Sequence, residues 1–403
     1  MARESANVVV DCGAFYFRHG LASNVDPHVT KSEVAFPKDR FAFPGGPIIA
    51  FPGGPVIGPA CQHVHRRDYR FRLPSEYGSV TNWEAMEVVW SYAIEDARAD
   101  RSTTHLCVTS TPSWSKRDYN AGAERAFENL GVAELTLVLD SHAAGLAVGA
   151  PGIAESGACL VVDVGYQMTR LCCFRDGALI GKSRGHDVGG AWVEEALNRA
   201  LAKRYRLPEC ELRKHRGGLP SSFLRAAPTP RGGVDAAEPV EFWVSSDVAR
   251  DICAVEAAHT SSPPEGFGRT VAFPGGDTIS LRGDELFMSP EVLFDPSLGG
   301  REAVGLAWLV ARALQITPRA IQNDVARNIV LCGGGGSFRG LAPRLAAELE
   351  AMRGVFYPWT SPPRAFLPVD LAAARCTYVR SLGLLHVGFF YLPLHFTRIM
   401  LTI

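Results

Sequence analysis

A short apolar strand that runs into an aspartate and a glycine occurs twice. Val9-Val10-Asp11-Cys12-Gly13-Ala14 returns further along as Val161-Val162-Asp163-Val164-Gly165-Tyr166. Each copy heads a plausible half of the chain and reads as a buried strand followed by a tight turn. The chemistry suits a phosphate site between two lobes. An Asp at a strand end can hold a hydrated divalent cation, because Mg²⁺ keeps most of its waters and uses one or two carboxylates. A Gly just beyond it lets backbone N–H groups approach phosphate oxygens with no Cβ in the way. Asp11 and Asp163 are therefore the candidate Mg²⁺ carboxylates, acting through water, with Gly13 and Gly165 beside phosphate. Arg18, in the first hairpin, adds positive charge. Two further glycine turns join them. Gly189-Gly190 precedes a helix whose N-terminus can face an anion, and Gly333, Gly334 and Gly335 follow a strand. Singly, each turn is explained by tight backbone geometry; together they favour a ligand site.

The rest of the chain alternates strands with helices, which is an α/β pattern. Strands are predicted at 8–10, 135–139, 158–162 and 328–331, and a hairpin joins 168–174 to 178–180. Thr81-Asn-Trp-Glu84 reads as a capping box with Thr81 as N-cap, opening a helix with Trp83, Met86, Trp90 and Ile94 on its core stripe. Ser115-Lys-Arg-Asp118 opens another, which Gly131 stops; further helices are predicted after Gly190, over 247–257, from Pro290 and over 341–352. Residues 206–244 are broken by Pro and Gly and read as a surface loop or insertion. Phe43-Pro-Gly-Gly-Pro47 and Phe51-Pro-Gly-Gly-Pro55, echoed by Phe273-Pro-Gly-Gly276, suggest turns that present aromatic rings.

Composition excludes other classes. With 41 basic against 42 acidic side chains, the chain is not built chiefly to grip bare polyanions. Its basic clusters, at 66–72 and 213–216, read as solvated faces. Ten cysteines without regular spacing fit a reducing compartment. Cys61-Gln-His63-Val-His65 has metal-type ligands but no second cluster at zinc-like spacing. Residues 381–403 are apolar, yet His386, Pro393, His395 and Arg398 interrupt them, so no membrane anchor is expected.

In their order along the chain, five motifs resemble the actin family over about residues 7–366. They are Val10-Asp-Cys-Gly13, Val80-Thr-Asn-Trp-Glu84, Leu160-Val-Val-Asp-Val-Gly165, Ser289-Pro-Glu-Val-Leu-Phe-Asp-Pro296 and Asn328-Ile-Val-Leu-Cys-Gly-Gly334. The resemblance implies an α/β, actin-like two-lobed fold: two ribonuclease-H-like domains with peripheral subdomains, and ATP with Mg²⁺ in the cleft between them. Its first lobe would span 1–149, with a divergent Pro/Gly-rich segment at about 33–70. The second would span 150–366, with a peripheral subdomain and insertion at about 189–285, and 367–403 would form a divergent apolar tail. Nucleotide contacts are implied at Asp11, Gly13, Arg18, Asp163, Gly165, Gly189, Gly190, Arg250, Gly333, Gly334 and Gly335.

Departures narrow the expectation. Tyr166 and Gln167 stand where conventional actin has Asp and Gly, and His186-Asp-Val-Gly-Gly190 looks more like the nuclear actin-related proteins. The combination of Asp11-Cys-Gly-Ala14, Val164-Gly-Tyr166 and Val188-Gly-Gly190, with Asn328-Ile-Val-Leu331, Gly333-Gly334 and Ser337-Phe338, is most similar to the actin-related protein 6 group. That resemblance implies a non-catalytic subunit of a nuclear complex exchanging histone H2A for H2A.Z. Its partners would be the remodelling ATPase and other subunits, with nucleosome or histones met indirectly. The alternative is a cytoplasmic, cytoskeletal actin-related protein, filament-capping or axonemal. Asp140 and Arg170 replace the Gln and His that position water in actin, so ATP hydrolysis is not expected. Cys253 and Ala254 replace a Lys and a Glu beside the adenosine, which points to weak or purely structural ATP binding. The segment at 41–69 and the chain after 366 depart from the family where filament contacts form, so self-polymerisation is not expected.

Overall fold

A computed structural model describes residues 6–24, 26–38, 54–64, 69–147, 157–182, 185–205, 223–225, 241–243, 268–272, 278–282, 288–336, 338, 340–353, 365–366 and 399–401. Each of the two Asp-Gly strands founds a sheet of the same topology. β1 (Ala6–Cys12) turns back into β2 (Tyr16–Leu21) and then β3 (His28–Lys31). On its other edge β1 pairs in parallel with β4 (Thr104–Ser110), which pairs in parallel with β5 (Glu134–Leu139). β6 (Ala158–Val164) repeats the plan, with antiparallel β7 (Thr169–Arg175) and β8 (Ala178–Lys182) on one side. Parallel β9 (Ile329–Cys332) and β10 (Ala365–Phe366) lie on the other. Both sheets thus run third, second, first, fourth, fifth. β11 (Ile399–Leu401) adds a parallel edge strand to β5, so this piece of the tail returns to the first sheet.

Both founding strands are apolar because both of their faces are covered. On one face of the first sheet lies α1 (Trp83–Asp96), whose Met86, Val89, Trp90 and Ala93 pack with Val8, Val10, Phe17 and Leu106. Its N-cap is Asn82 rather than the predicted Thr81: the Asn82 side chain accepts the Ala85 N–H at 2.9 Å. Trp83 meets Trp90 and Trp114 edge to face, with ring centroids 6.1 and 5.6 Å apart. The capping box of α2 (Lys116–Glu124) forms as predicted between Ser115 and Asp118, and Gly131, at φ +69, follows the wider turn that ends this segment.

Between the sheets lies α3 (Asp140–Ala147). Its Ala143 joins Val9, Cys107 and Val138 of the first sheet, and its Ala144 joins Cys159, Val161 and Val330 of the second. The outer face of the second sheet is covered by α4 (Gly190–Tyr205), α5 (Leu306–Ile316), α6 (Arg319–Arg327) and α7 (Leu341–Met352). Fully burying a Leu or Val of this kind contributes about 1.5–3 kcal/mol. Residues 288–291 make the helical turn predicted at Pro290, and it extends no further.

Several expectations lie outside the described residues: Arg250, the helix over 247–257, Cys253 and Ala254, the basic cluster at 213–216, the Phe-Pro-Gly-Gly repeat at 43–47 and residues 51–53 of the repeat at 51–55. Within 206–244 the described pieces are Phe223–Arg225 and Glu241–Trp243, which pair antiparallel. The Phe273 motif also lies outside the described residues; the strands Gly268–Ala272 and Thr278–Arg282 on either side of it in sequence pair antiparallel. All seven described cysteines are free thiols. No helix among the described residues is long and apolar enough to cross a membrane.

Candidate functional site

Three carboxylates gather at the C-terminal ends of parallel strands, where open α/β sheets place their ligands. Asp11 closes β1, Asp140 directly follows β5 as the first residue of α3, and Asp163 stands near the end of β6. Each has a partner. Asp11 lies opposite Arg18 in the β1–β2 register, and Arg18 Nη1 is 3.3 Å from Asp11 Oδ2. The Thr109 hydroxyl donates to Asp11 Oδ1 at 3.0 Å and accepts the Cys12 N–H at 3.0 Å. Asp163 lies opposite Arg170 in the β6–β7 register, and Arg170 Nη2 donates to Asp163 Oδ2. The same Nη2 stands 2.6 Å from Asp140 Oδ2. The internal repeat is therefore longer than Asp-x-Gly: an arginine follows each aspartate by seven residues and pairs with it across the hairpin.

Three carboxylates against two guanidinium groups leave one negative charge in a nearly closed space; these five side chains are only 13–15% exposed. Burial first, then the Asp163 and Asp11 charges, outweigh the downward pull of Arg170 and leave the Asp140 carboxyl raised to about 6. Burial works against the Arg170 charge, but Asp140 and Asp163 outweigh it and hold the guanidinium pKa above its ordinary value.

The predicted glycines do converge, with Gly165, Gly189, Gly190, Gly333 and Gly335 all around the end of β6. What approaches them is the protein's own chain. A Cβ on Gly189 would stand 2.6 Å from the Tyr166 carbonyl oxygen, and one on Gly333, at φ +80, would stand 2.4 Å from Asp163 Oδ1. One on Gly335 would stand 2.7 Å from Val164 Cγ1. Gly334 is the second residue of the turn Gly333–Gly336. The Gly165 N–H donates to the Met168 carbonyl at 2.9 Å and the Gly190 N–H to the Gly165 carbonyl at 3.0 Å. Gly13 makes the first turn, where a Cβ would meet the Tyr16 carbonyl oxygen at 2.4 Å. Across the cleft, the Phe15 and Tyr166 rings approach to 4.6 Å, and the Tyr77 N–H donates to Gln167 Oε1 at 2.8 Å. The Tyr166 hydroxyl donates to Glu194, and burial together with the Glu194 charge holds that phenol well above its usual pKa.

A sequence model of the family described as Actin matches residues 2–364. The chain belongs to the actin family. It is 26% identical over 355 residues to an actin-like protein of Neurospora crassa, a match covering 86% of this chain and 84% of that protein. Centractin of Schizosaccharomyces pombe is 27% identical over 305 residues, or 74% of this chain and 71% of its own. Actin-like protein 9 of Homo sapiens is 27% identical over 348 residues, or 85% and 74%. The two-lobed α/β fold expected from the resemblance is the fold of this family. None of these three relatives bears the name of the actin-related protein 6 group.

The residues present do not fit the Mg²⁺ that an actin-family cleft implies. Asp163 and Asp140 are both held by Arg170, and Asp11 by Arg18 and Thr109, so a guanidinium stands where a hydrated dication would need free carboxylate oxygens. A phosphate oxygen fits better, because Arg18 Nε and Arg170 Nη1 are buried N–H groups with no partner among the described residues. Sequence reasoning took Arg18 as general positive charge and Arg170 as a lost water-positioning side chain. It missed the shared spacing that makes both of them clamps, and it missed Thr109.

Proposed function

We propose that this actin-family chain is a non-catalytic, structural subunit of a nuclear chromatin-remodelling complex of the H2A.Z-exchange type, in which a separate chain is the remodelling ATPase. The observation that carries the non-catalytic reading is the Arg170 bridge between Asp140 and Asp163. Hydrolysis requires a water held in line with the γ-phosphate. The two side chains at the water-positioning places of actin hold each other instead. ATP is bound weakly and structurally, its phosphates met by Arg18 and Arg170 rather than through Mg²⁺. The narrower assignment rests on Asp11-Cys-Gly-Ala14, Val164-Gly-Tyr166 and Val188-Gly-Gly190, and here Tyr166 and its neighbour Gln167 serve as contacts across the cleft. Partners would dock on the segment at 206–244 and the Phe-Pro-Gly-Gly repeats. The second reading, a cytoskeletal actin-related protein, draws on the match to centractin.

Affinity purification of the tagged chain from nuclear and cytoplasmic extracts separates the two. Recovery with a large remodelling ATPase and histone-variant-binding subunits is expected; recovery with filament components overturns the nuclear assignment. Sustained Mg²⁺-dependent phosphate release by the purified chain would overturn the non-catalytic one.

A further inference from the structure

We propose that His19, His28 and Asp96 form a binding site for a zinc-type divalent cation on the α1 side of the first sheet. The site is separate from the cleft: along β2, Arg18 reaches Asp11 while the neighbouring His19 packs among the rings of Phe17, His28 and Tyr92. His19 and His28 are direct partners in the β2–β3 register, and Asp96 is the last residue of α1. Their ligand atoms all lie within 4.8 Å of one another. His28 Nδ1 contacts Asp96 Oδ2, and His19 Nδ1 stands 3.6 Å from the same oxygen.

The decisive atom is His19 Nδ1. The side chain is 1% exposed, and this nitrogen has no hydrogen-bond partner among the described residues. Its other ring nitrogen, Nε2, lies 3.2 Å from the Thr30 hydroxyl. With Nε2–H donating to Thr30, Nδ1 directs a lone pair at a carboxylate oxygen, an arrangement that a cation between them relieves. Metal-bound histidines are held in this way, by a hydrogen bond from the ring nitrogen that does not ligate. Asp96 adds a second reason. It places a carboxylate at the negative end of the α1 dipole, and no basic residue lies in that last turn.

Two imidazoles and one carboxylate are a zinc-type donor set, and three protein ligands leave a fourth position for water. With metal–ligand bonds of about 2.0 Å, tetrahedral donors sit roughly 3.3 Å apart. The His28–Asp96 contact must therefore open slightly, which His28, at 58% exposure, can do while buried His19 stays fixed. A bound ion would fasten the β2–β3 hairpin to the end of α1.

The test uses the full chain, stripped with a chelator and titrated with Zn²⁺ and with Co²⁺ alone. One equivalent is expected to bind, raising the melting temperature by several degrees, and Co²⁺ should give the visible bands of a tetrahedral nitrogen–oxygen site. His28→Ala and Asp96→Asn should each weaken binding at least about tenfold, while their metal-free melting stays close to wild type because both side chains are partly exposed. Unchanged affinity in both variants overturns the proposal. So does a sulfur-to-cobalt charge-transfer band, which would place the ion on cysteine, or the lack of any thermal shift at millimolar Zn²⁺.

Discussion

Arg170 holds two carboxylates with one guanidinium, and its removal strands both of them in a nearly dry space. Deleting one partner of a buried ion pair costs about 3–5 kcal/mol. Arg170→Met should lower the unfolding free energy by about that much at pH 7, measured by urea titration. Part of the loss should return at pH 5, because Asp140, already pushed up to about 6 by burial, is then protonated. A loss under about 1 kcal/mol, the range of surface pairs, would mean that water screens the cluster. His19 supplies the opposite pH trend. Burial pushes it down to about 4, against a pull upward from Asp96. In the window from about 6.5 down to 4 the unfolded chain binds the proton and the folded one does not. His19 thus contributes fully above 6.5, and that contribution fades as the pH falls towards 4. In metal-free protein, His19→Gln should flatten stability across this window; an unchanged slope would show that the ring reaches water. These pairings were only partly legible in the chain. Asp11 and Asp163 stand out by their strands and glycines, whereas the role of each arginine depends on the hairpin register, and Thr109 arrives from a strand almost a hundred residues away.

At the scale of elements, two adjacent glycines at the start of α4 have opposite sensitivities. A Cβ on Gly189 would press on three backbone atoms of the 165–168 turn at 2.6–2.9 Å, while one on Gly190 finds ordinary contacts from 3.6 Å. Gly189→Ala should cost about 1–3 kcal/mol, as overpacking does. Gly190→Ala should be neutral or stabilising, since Ala is the better helix residue by about 1 kcal/mol. Thermal melts of the two variants in parallel decide this, and equal effects would refute the close packing. Ser115→Ala should cost α2 about 1 kcal/mol, readable by the same melts. Strands β1, β5, β6, β7, β8 and β9 and helices α1, α2, α4 and α7 were legible because apolar runs and caps are local signals, whereas β3, β4, α3, α5 and α6 went unread. The start of α1 slipped by one residue, as Thr81 and Asn82 are both competent caps and only the backbone angles choose between them. The helical turn at Pro290 ends after residue 291, and Asp295 then caps a second short turn at Pro296–Gly299 that redirects the chain.

Across the whole molecule, two sheets of the same topology face each other over α3, and the chain's own side chains span the gap. Phe15 on Tyr166, Tyr77 on Gln167 and Arg170 on Asp140 do the bridging. A structure already joined in this way gains little from a bridging dication. Mg²⁺ should shift the melting temperature by less than about a degree with or without ATP, because a ligand stabilises only in proportion to its binding. A rise of several degrees that requires Mg²⁺ would count against the Arg170 clamp. The Asp-Gly repeat announced the duplication, but the order of the outer strands did not follow from it. β4, β5, β9 and β10 reach their places through long connections that carry no pairing signal. The edge-to-face trio of Trp83, Trp90 and Trp114 belongs to the first lobe, whereas Trp192 in the second lies under the Arg301 guanidinium. Indoles held that close share their excited states, so one half of the protein has its own chiroptical colour, and circular dichroism can follow its melting apart from the other's.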